Sequence, residues 1–425
     1  MHNYTSTVRE IYDLQKFAIK LGLDNIRALC AELGDPQKAY PVIHLAGTNG
    51  KGSTAFFLAR ILQSAGLKTA LFTSPHLSDF RERIRVNGRK ISRGSVIRFW
   101  ERMRASVLQR KATFFDTTTA LALDWFRQMK VDVAVIETGL GGRLDSTNIV
   151  EAGYTVLTPI HFDHQKQLGD NLRQIAAEKA GIIKKHSAVF SAVQKAEALE
   201  TIRQYLKKEH RFFYLADHIS WERKTVSWSG QRFDLFDHLH RLEYHDLKTR
   251  QLGGFQLANI ALAYLTARMF LKEHRILFNE AAFRSMLARA VWPGRMQVVA
   301  RQPNIVLDVS HNPEGIEKTL KAVNELCPPE KLVLLTGLVD DKNYVDVARI
   351  VKRAAGGIVV TEPATHRRLA ATDLAAAFQN AGKKVKIIQD LHRAFEFCKQ
   401  SLKQDETLLV IGSHYLVGPL LENIN

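Results

Sequence analysis

Cysteine is scarce in this chain: Cys30, Cys327 and Cys398 are the only three in 425 residues, they lie far apart, and none forms a Cys-x-x-Cys pair. That pattern excludes a disulfide framework and a zinc ribbon and predicts reduced, packed thiols. No apolar run approaches the ~20 residues that a spanning helix needs, and charge runs through the first helix-like stretch, so a cytosolic (cytoplasmic) protein with no membrane partner is expected. Internal repeats and low-complexity segments are missing too, and 46% apolar residues is ordinary for a globular chain. Acidic residues are in deficit, 43 against 60 Lys and Arg, for a formal net charge of +17. Such a charge fits nucleic acid, an anionic surface, or small anionic substrates steered to a basic cleft. With no RNP sequence and no zinc finger, and with basic residues scattered along the chain, nucleic acid is not the expected partner.

The most informative stretch that is present runs from His44 to Ser53, HLAGTNGKGS. An apolar run feeds a glycine loop with one lysine, and a helix-like stretch follows. Gly47, Gly50 and Gly52 let backbone N–H groups turn toward phosphate oxygens, Lys51 adds a point charge, the helix adds its positive N-terminus, and Ser53 is placed to hold Mg²⁺. The spacing departs from the commonest P-loop, because two residues separate Gly47 from Gly50 and a glycine stands between Lys51 and Ser53.

From Tyr40 onward short β-rich runs (Val42–Ala46, Thr69–Thr73, Val131–Ile136, Tyr154–Thr158) alternate with helical stretches (Thr54–Ala65, Val96–Leu108), which predicts an α/β fold with a mostly parallel sheet. Sites in such sheets lie beyond the carboxyl ends of the strands. The glycine loop, Ser74-Pro75-His76 and Glu137-Thr138-Gly139 all fall there. Residues from about Phe212 to Lys248 alternate as hairpin strands expected at one sheet edge. Helical runs follow at Gln256–Leu271 and Glu280–Ala290. After Trp292-Pro293-Gly294-Arg295 a second alternation begins, with apolar runs at Ile305–Val309, Leu332–Thr336, Gly357–Thr361, Val385–Ile388 and Leu408–Ile411. A chain of this length is expected to form two domains. The predicted division is 1–294, an N-terminal P-loop domain, and 295–425, a smaller C-terminal α/β Rossmann-like domain. The second half has no GxGxxG turn, so no dinucleotide site is implied.

An ordered series of motifs then narrows the reading: HLAGTNGKGS, TSPHL, ERIRVNG, FFDTTTALA, ETGLGGRLDSTN, the Asp163-His164 pair, EKAGI, WPGRMQ, LDVSHNP and GSHYLVG. Together they resemble the folylpolyglutamate synthase and dihydrofolate synthase family of Mur-type amide ligases, bacterial bifunctional type, nearly end to end. The resemblance implies ATP-dependent joining of glutamate to dihydropteroate, and also to reduced folates, through an acyl-phosphate. It implies a monomer whose partners are ATP, glutamate and dihydropteroate or folate, with two Mg²⁺ ions as cofactors. The chemistry is coherent, since phosphorylating a carboxylate turns its oxygen into a leaving group before the amine attacks, and the enzyme must hold anions together.

By this resemblance Gly47, Thr48, Asn49, Gly50, Lys51, Gly52 and Ser53 form the phosphate loop. Ser53, Ser74, Glu137 and His164 hold magnesium, although an imidazole taken alone prefers softer metals. Asn259, Arg295 and Asp308 contact ATP, and Lys51, Lys179 and His311 are the catalytic set. Lys179, which read alone is a solvated lysine near a helix C-terminus, matches a position commonly carbamylated by CO₂, a reaction that needs the neutral amine. Thr113, Phe115 and Asp145 match the pterin side, while their local pattern equally allows Phe115 in the core and Asp145 as a turn cap. Ser146, Phe255, Ser310 and Asn343 depart from the family pattern.

Two rival functions make different predictions. A Mur ligase acting on cell-wall nucleotide precursors predicts a uridine-nucleotide domain before the loop, whereas the 46 residues before Gly47 read mostly as one amphipathic helix. A basic P-loop protein that binds nucleic acid predicts salt-sensitive binding and ATP turnover indifferent to glutamate. The acidic set Glu137, Asp145 and Asp163 argues against it.

Overall fold

The structure, a computed structural model, describes residues 3–16, 22–352, 354–382 and 384–424. Its largest sheet contains β1 (Val42–Ala46), β2 (Thr69–Phe72), β3 (Ile84–Val86), β4 (Arg89–Lys90), β5 (Val133–Glu137), β6 (Tyr154–Leu157), β7 (Ala188–Ser191) and β8 (Arg211–Tyr214), in the order β4-β3-β2-β5-β1-β6-β7-β8. Strands β2, β5, β1, β6, β7 and β8 run parallel, and β3 and β4 add an antiparallel edge. The central strands VIHLA and VAVIE are buried at every position, as expected where helices cover both faces of a parallel sheet.

Among the described residues, the stretch before Gly47 holds two α-helices rather than one, α1 (Tyr4–Asp13) and α2 (Asp24–Glu32). Asn3 and Ser6 close a capping box at the start of α1. With α3 (Lys51–Ser64), α4 (Arg93–Gln109) and α5 (Phe114–Gln128) also defined, one core joins Ile11, Leu29, Trp100 and Phe126 to Phe72 and Ile136 of the sheet. Beyond β6 come α6 (Gln165–Leu168) and α7 (Leu172–Ala180).

The predicted edge hairpins need correction. Strand β8 is a parallel member of the large sheet, while β9 (Ile219–Ser227), β10 (Gly230–Asp237) and β11 (Leu242–Thr249) form a three-stranded sheet of their own. Alternation specifies a half-buried strand but carries no information about which sheet it joins.

In the second run β12 (Gln297–Ala300) was not foreseen, whereas β13 (Asn304–Asp308), β14 (Leu332–Thr336), β15 (Gly357–Val360), β16 (Lys386–Ile387) and β17 (Thr407–Ile411) fall on the expected runs, and the sheet order is β12-β13-β17-β14-β15-β16. All pairs are parallel except β12 with β13. Val306, Leu320, Leu334, Phe378 and Leu409 sit in its core. By internal contacts the chain divides into two compact units. The first comprises Met1–Ser220, Asp237–Leu242 and Asn259–Met286, and the second Trp221–Phe236, Glu243–Ala258 and Leu287–Asn425. Among the described residues no helix is long and apolar enough to cross a membrane.

Candidate active site

Because β2, β5, β1 and β6 are parallel neighbours, their carboxyl ends lie along one edge of the sheet. The loops leaving them carry Ser74, Glu137, the glycine loop and His161 to His164, so topology alone gathers the predicted residues of the first unit.

The glycine loop is held tightly. Gly47 has φ +149, and a Cβ there would lie 1.9 Å from Thr158 Oγ1 and 2.8 Å from the Thr158 carbonyl oxygen. Gly50 (φ +85) precedes α3, and a Cβ would lie 2.5 Å from Asn259 Oδ1. The predicted nucleotide-facing asparagine therefore packs on the loop from α10 (Gly254–Glu273). Two loop amides are already used: the N–H groups of Thr48 and Asn49 both donate to the Pro159 carbonyl, at 2.9 and 3.2 Å. The Thr48 hydroxyl donates to the His161 carbonyl and accepts from its N–H, each at 3.0 Å. Thr48 thus staples the loop to the segment after β6. Pro159 as a partner was not legible locally, since that contact joins the ends of two different strands. Gly47→Ala is expected to weaken nucleotide binding at least about tenfold and cost about 1–3 kcal/mol of stability from overpacking, checked by calorimetric titration and thermal melting.

Two lysines converge on this loop. Lys51 Nζ donates to the carbonyls of Gly47 and Thr48 at 3.1 and 3.3 Å, and Lys179 Nζ donates to the same Gly47 carbonyl at 2.8 Å. Lys179 lies in the last turn of α7 but is buried, 4% exposed, so the solvated reading does not describe it. Burial, aided by the Lys51 charge and opposed by Asp163 and Asp145, pushes its pKa from 10.5 down to about 7.

Glu137 ends β5 and is buried, and its Oε2 accepts the Ser74 N–H at 3.1 Å. Two predicted metal residues are thereby in contact. His164 has φ +52 and stands just before α6, its N–H donating to Asp163 Oδ1 at 3.0 Å and its Nε2 3.9 Å from Asp163 Oδ2. Among the described residues no cluster of three or more His, Cys, Asp or Glu side chains is gathered as a metal centre. A hydroxyl and a carboxylate nonetheless suit Mg²⁺, which keeps several waters and takes one or two protein carboxylates together with phosphate oxygens.

Of the residues predicted for the pterin side, Asp145 and Phe115 meet at Gly139. Asp145 is buried, and its carboxylate accepts the N–H groups of Gly139 (2.9 Å), Leu140 (2.8 Å) and Thr147 (3.0 Å) as well as the Thr147 hydroxyl. Burial raises its pKa against those donors. Thr113 caps α5 in a box with Asp116, and Ser146, a departure from the family pattern, donates to Asp116 Oδ1 at 2.6 Å. Phe115 packs over Gly139, where a Cβ would lie 2.6 Å from its ring. These side chains build the loop after β5, and Asp145 also acts as the turn cap that its local sequence allowed. His44 belongs to the same network through Thr147 Oγ1 at 2.8 Å, and burial pushes its pKa down to about 3. Elsewhere in this unit Tyr12 stacks on Phe114, with centroids 5.5 Å apart, and bonds His76 Nε2 at 2.9 Å, while Arg83 donates to His76 Nδ1 at 2.7 Å.

In the second unit, Asp308 ends β13 and is buried. Its Oδ2 accepts the Met296 N–H at 2.8 Å, and its Oδ1 accepts the Ser310 N–H at 2.8 Å and the Thr319 hydroxyl at 3.2 Å. Asp308 thus fixes the backbone beside Arg295 and His311. His311 Nδ1 bonds the Val309 carbonyl at 3.0 Å, which puts its proton on Nδ1 and leaves Nε2 as the basic nitrogen. Of the other departures, Asn343 caps the helix Tyr344–Val351, Ser310 Oγ lies 3.2 Å from Thr319 Oγ1, and Phe255 packs against Gly253.

A parallel-sheet unit with a glycine loop and a second α/β unit match two family models: the Mur ligase middle domain over residues 45–267 and the Mur ligase glutamate ligase domain over residues 294–414. The chain is 34% identical to the dihydrofolate synthase/folylpolyglutamate synthase of Bacillus subtilis, covering 97% of each chain. Mycobacterium tuberculosis folylpolyglutamate synthase, solved with ADP and AMPPCP, matches with a TM-score of 0.90 at 26% identity over 100% of this chain and 99% of that one. E. coli FolC, solved with DHPP and ADP, matches with a TM-score of 0.86 at 27% identity over the same shares. The chain belongs to the dihydrofolate synthase/folylpolyglutamate synthase family of Mur ligases.

Proposed function

We propose that this protein uses ATP to join glutamate to dihydropteroate, and extends reduced folates by the same chemistry, through an acyl-phosphate. Membership in a family of ATP-dependent ligases of folate metabolism supports the ligase assignment. The observation that carries the proposal is the convergence of Lys51 and Lys179 on the Gly47 carbonyl beside the carboxyl end of β1. The free N-terminus of α3, with Lys51 at its first position, receives the triphosphate, and Ser53 of its first turn faces the same phosphates. Ser53, Ser74, Glu137 and His164 are the residues to hold Mg²⁺, which when bound neutralises phosphate charge.

Lys179 is proposed to be carbamylated. Its neutral amine attacks CO₂ and loses a proton to solvent, and the new N–C bond leaves an anionic carbamate near Lys51. With a pKa near 7 roughly half the amine is neutral at pH 7, against roughly one part in three thousand for an ordinary lysine. Arg295, Asp308, His311 and Asn259 serve nucleotide and glutamate. Thr113, Phe115 and Asp145 shape the pterin side. The functional boundary falls at Gly294, dividing 1–294 from 295–425.

The acyl-phosphate is tested by labelling the acceptor carboxylate with ¹⁸O. One labelled oxygen is expected in the released phosphate. Unlabelled phosphate accompanying amide product would overturn this route.

A further inference from the structure

His414 lies in the GSHYLVG motif and is the first residue of the helix His414–Ile424 that follows β17. Its place is set by the sheet. Strand β17 lies parallel to β13 with Ile411 opposite Asp308, so the turns carrying His414 and His311 leave one edge together. The turn is fixed by close approach: a Cβ on Gly412 (φ +134) would lie 2.4 Å from the Gly337 carbonyl oxygen. His414 is 8% exposed, and its ring centroid lies 5.8 Å from that of His311.

The decisive contact is with Arg295, whose Nη2 lies 3.3 Å from His414 Nε2. A guanidinium can only donate, so Nε2 must present its lone pair and the neutral ring carries its proton on Nδ1. Backbone contacts hold the other end of the arginine. The Arg295 carbonyl accepts from Gln251 Nε2, and the next residue's N–H is taken by Asp308. With its backbone anchored and one guanidinium nitrogen tied to His414, Arg295 has lost most of the rotamer freedom that a long side chain must give up on binding an anion.

We propose that His414 is a positioning residue for the nucleotide step, holding the Arg295 guanidinium oriented through its Nε2. The proposal rests on the reading of Arg295 as an ATP contact. His414 itself touches no reacting atom. Its requirement is an acceptor at that position, so a ring of the same shape without one does not substitute.

The test compares His414→Phe, which keeps the ring and removes the acceptor, with His414→Gln, which offers an amide oxygen. His414→Leu is a second variant lacking the acceptor should the Phe protein prove insoluble. Steady-state KM for ATP and kcat are measured in the full-length enzyme, with thermal midpoints as the folding control. The Phe or Leu variant is expected to raise the KM for ATP about tenfold, the scale of a lost hydrogen bond to a charged group, with kcat changed less than about twofold. The Gln variant is expected within about twofold of the parent in both. Equal behaviour of the Gln and Phe (or Leu) variants, whether both unimpaired or both equally impaired, would overturn the proposal. Arg295→Met, measured in parallel, separates the two layers. If it leaves the KM for ATP unchanged, the reading of Arg295 fails. If it raises KM while His414→Phe does not, that reading stands and the role of His414 falls. With both roles correct, adding His414→Phe to Arg295→Met costs no more than Arg295→Met alone.

Discussion

Glu137→Gln is expected to lower turnover by about 10²- to 10³-fold while the protein stays folded. The carboxylate ends β5 and accepts the Ser74 N–H at 3.1 Å. An amide oxygen can still accept that hydrogen bond, so the Ser74 loop keeps its anchor and the substitution removes only charge. Glu137→Ala removes the anchor as well and leaves the half-buried Ser74 N–H without it, so it should cost about 1 kcal/mol of stability in addition. If Glu137 serves the phosphate end of the reaction as proposed, the KM for glutamate should change far less than kcat. Steady-state kinetics and thermal melting on both variants decide the matter. A Gln variant retaining more than half the parent turnover would remove Glu137 from the phosphate and metal machinery.

Removing CO₂ should inactivate the enzyme reversibly, and Lys179→Ala should inactivate it outright, by at least about a hundredfold. The unmodified amine is buried against the same carbonyl as Lys51, and its pKa is pushed down to about 7 mainly by burial. Converting it to a carbamate replaces one of two adjacent like charges with the opposite sign. Dialysis at mildly acidic pH in CO₂-free buffer should strip the group, and bicarbonate should restore turnover. A ¹³C carbamate resonance from labelled bicarbonate, missing in Lys179→Ala, identifies the site. Activity indifferent to CO₂ and no such resonance would retire the modification. The unmodified protein should also show a linkage signature. Its folded-state pKa is depressed, so the unfolded chain binds more protons between about 7 and 10.5. Stability therefore rises with pH across that window and is insensitive to this group below it.

These two residues show what local sequence can and cannot carry. Glu137 was legible because its position after an apolar run fixes it at the carboxyl end of a strand, and the parallel order then places it beside Ser74. The burial of Lys179 was not, since the helix-dipole rule describes a helix alone and the carbonyl that it meets is 132 residues away. The same distinction separates Gly47, whose conformation is local, from the Thr48 and Asn49 amides, which are consumed by Pro159 across the sheet. Thr113 and Asp145 matched a substrate pattern, and the structure shows Thr113 capping α5 and Asp145 holding the loop after β5. The central strands β1, β2, β5 and β6, and β13 to β17, were readable from apolar runs, whereas β3, β4, β7 and β12 were not. Strand partners were not readable either, which is why β9, β10 and β11 were expected at the edge of a sheet that they do not join. Tyr12 and Phe114 stack across a hundred residues, and nothing in either neighbourhood announces it.

The most direct test is ADP release by the purified protein with Mg-ATP, comparing dihydropteroate, tetrahydrofolate and no acceptor, each with and without glutamate. The account predicts release that requires both glutamate and an acceptor, with dihydropteroate and tetrahydrofolate both supporting it. Release indifferent to glutamate, or none with either acceptor, would contradict it.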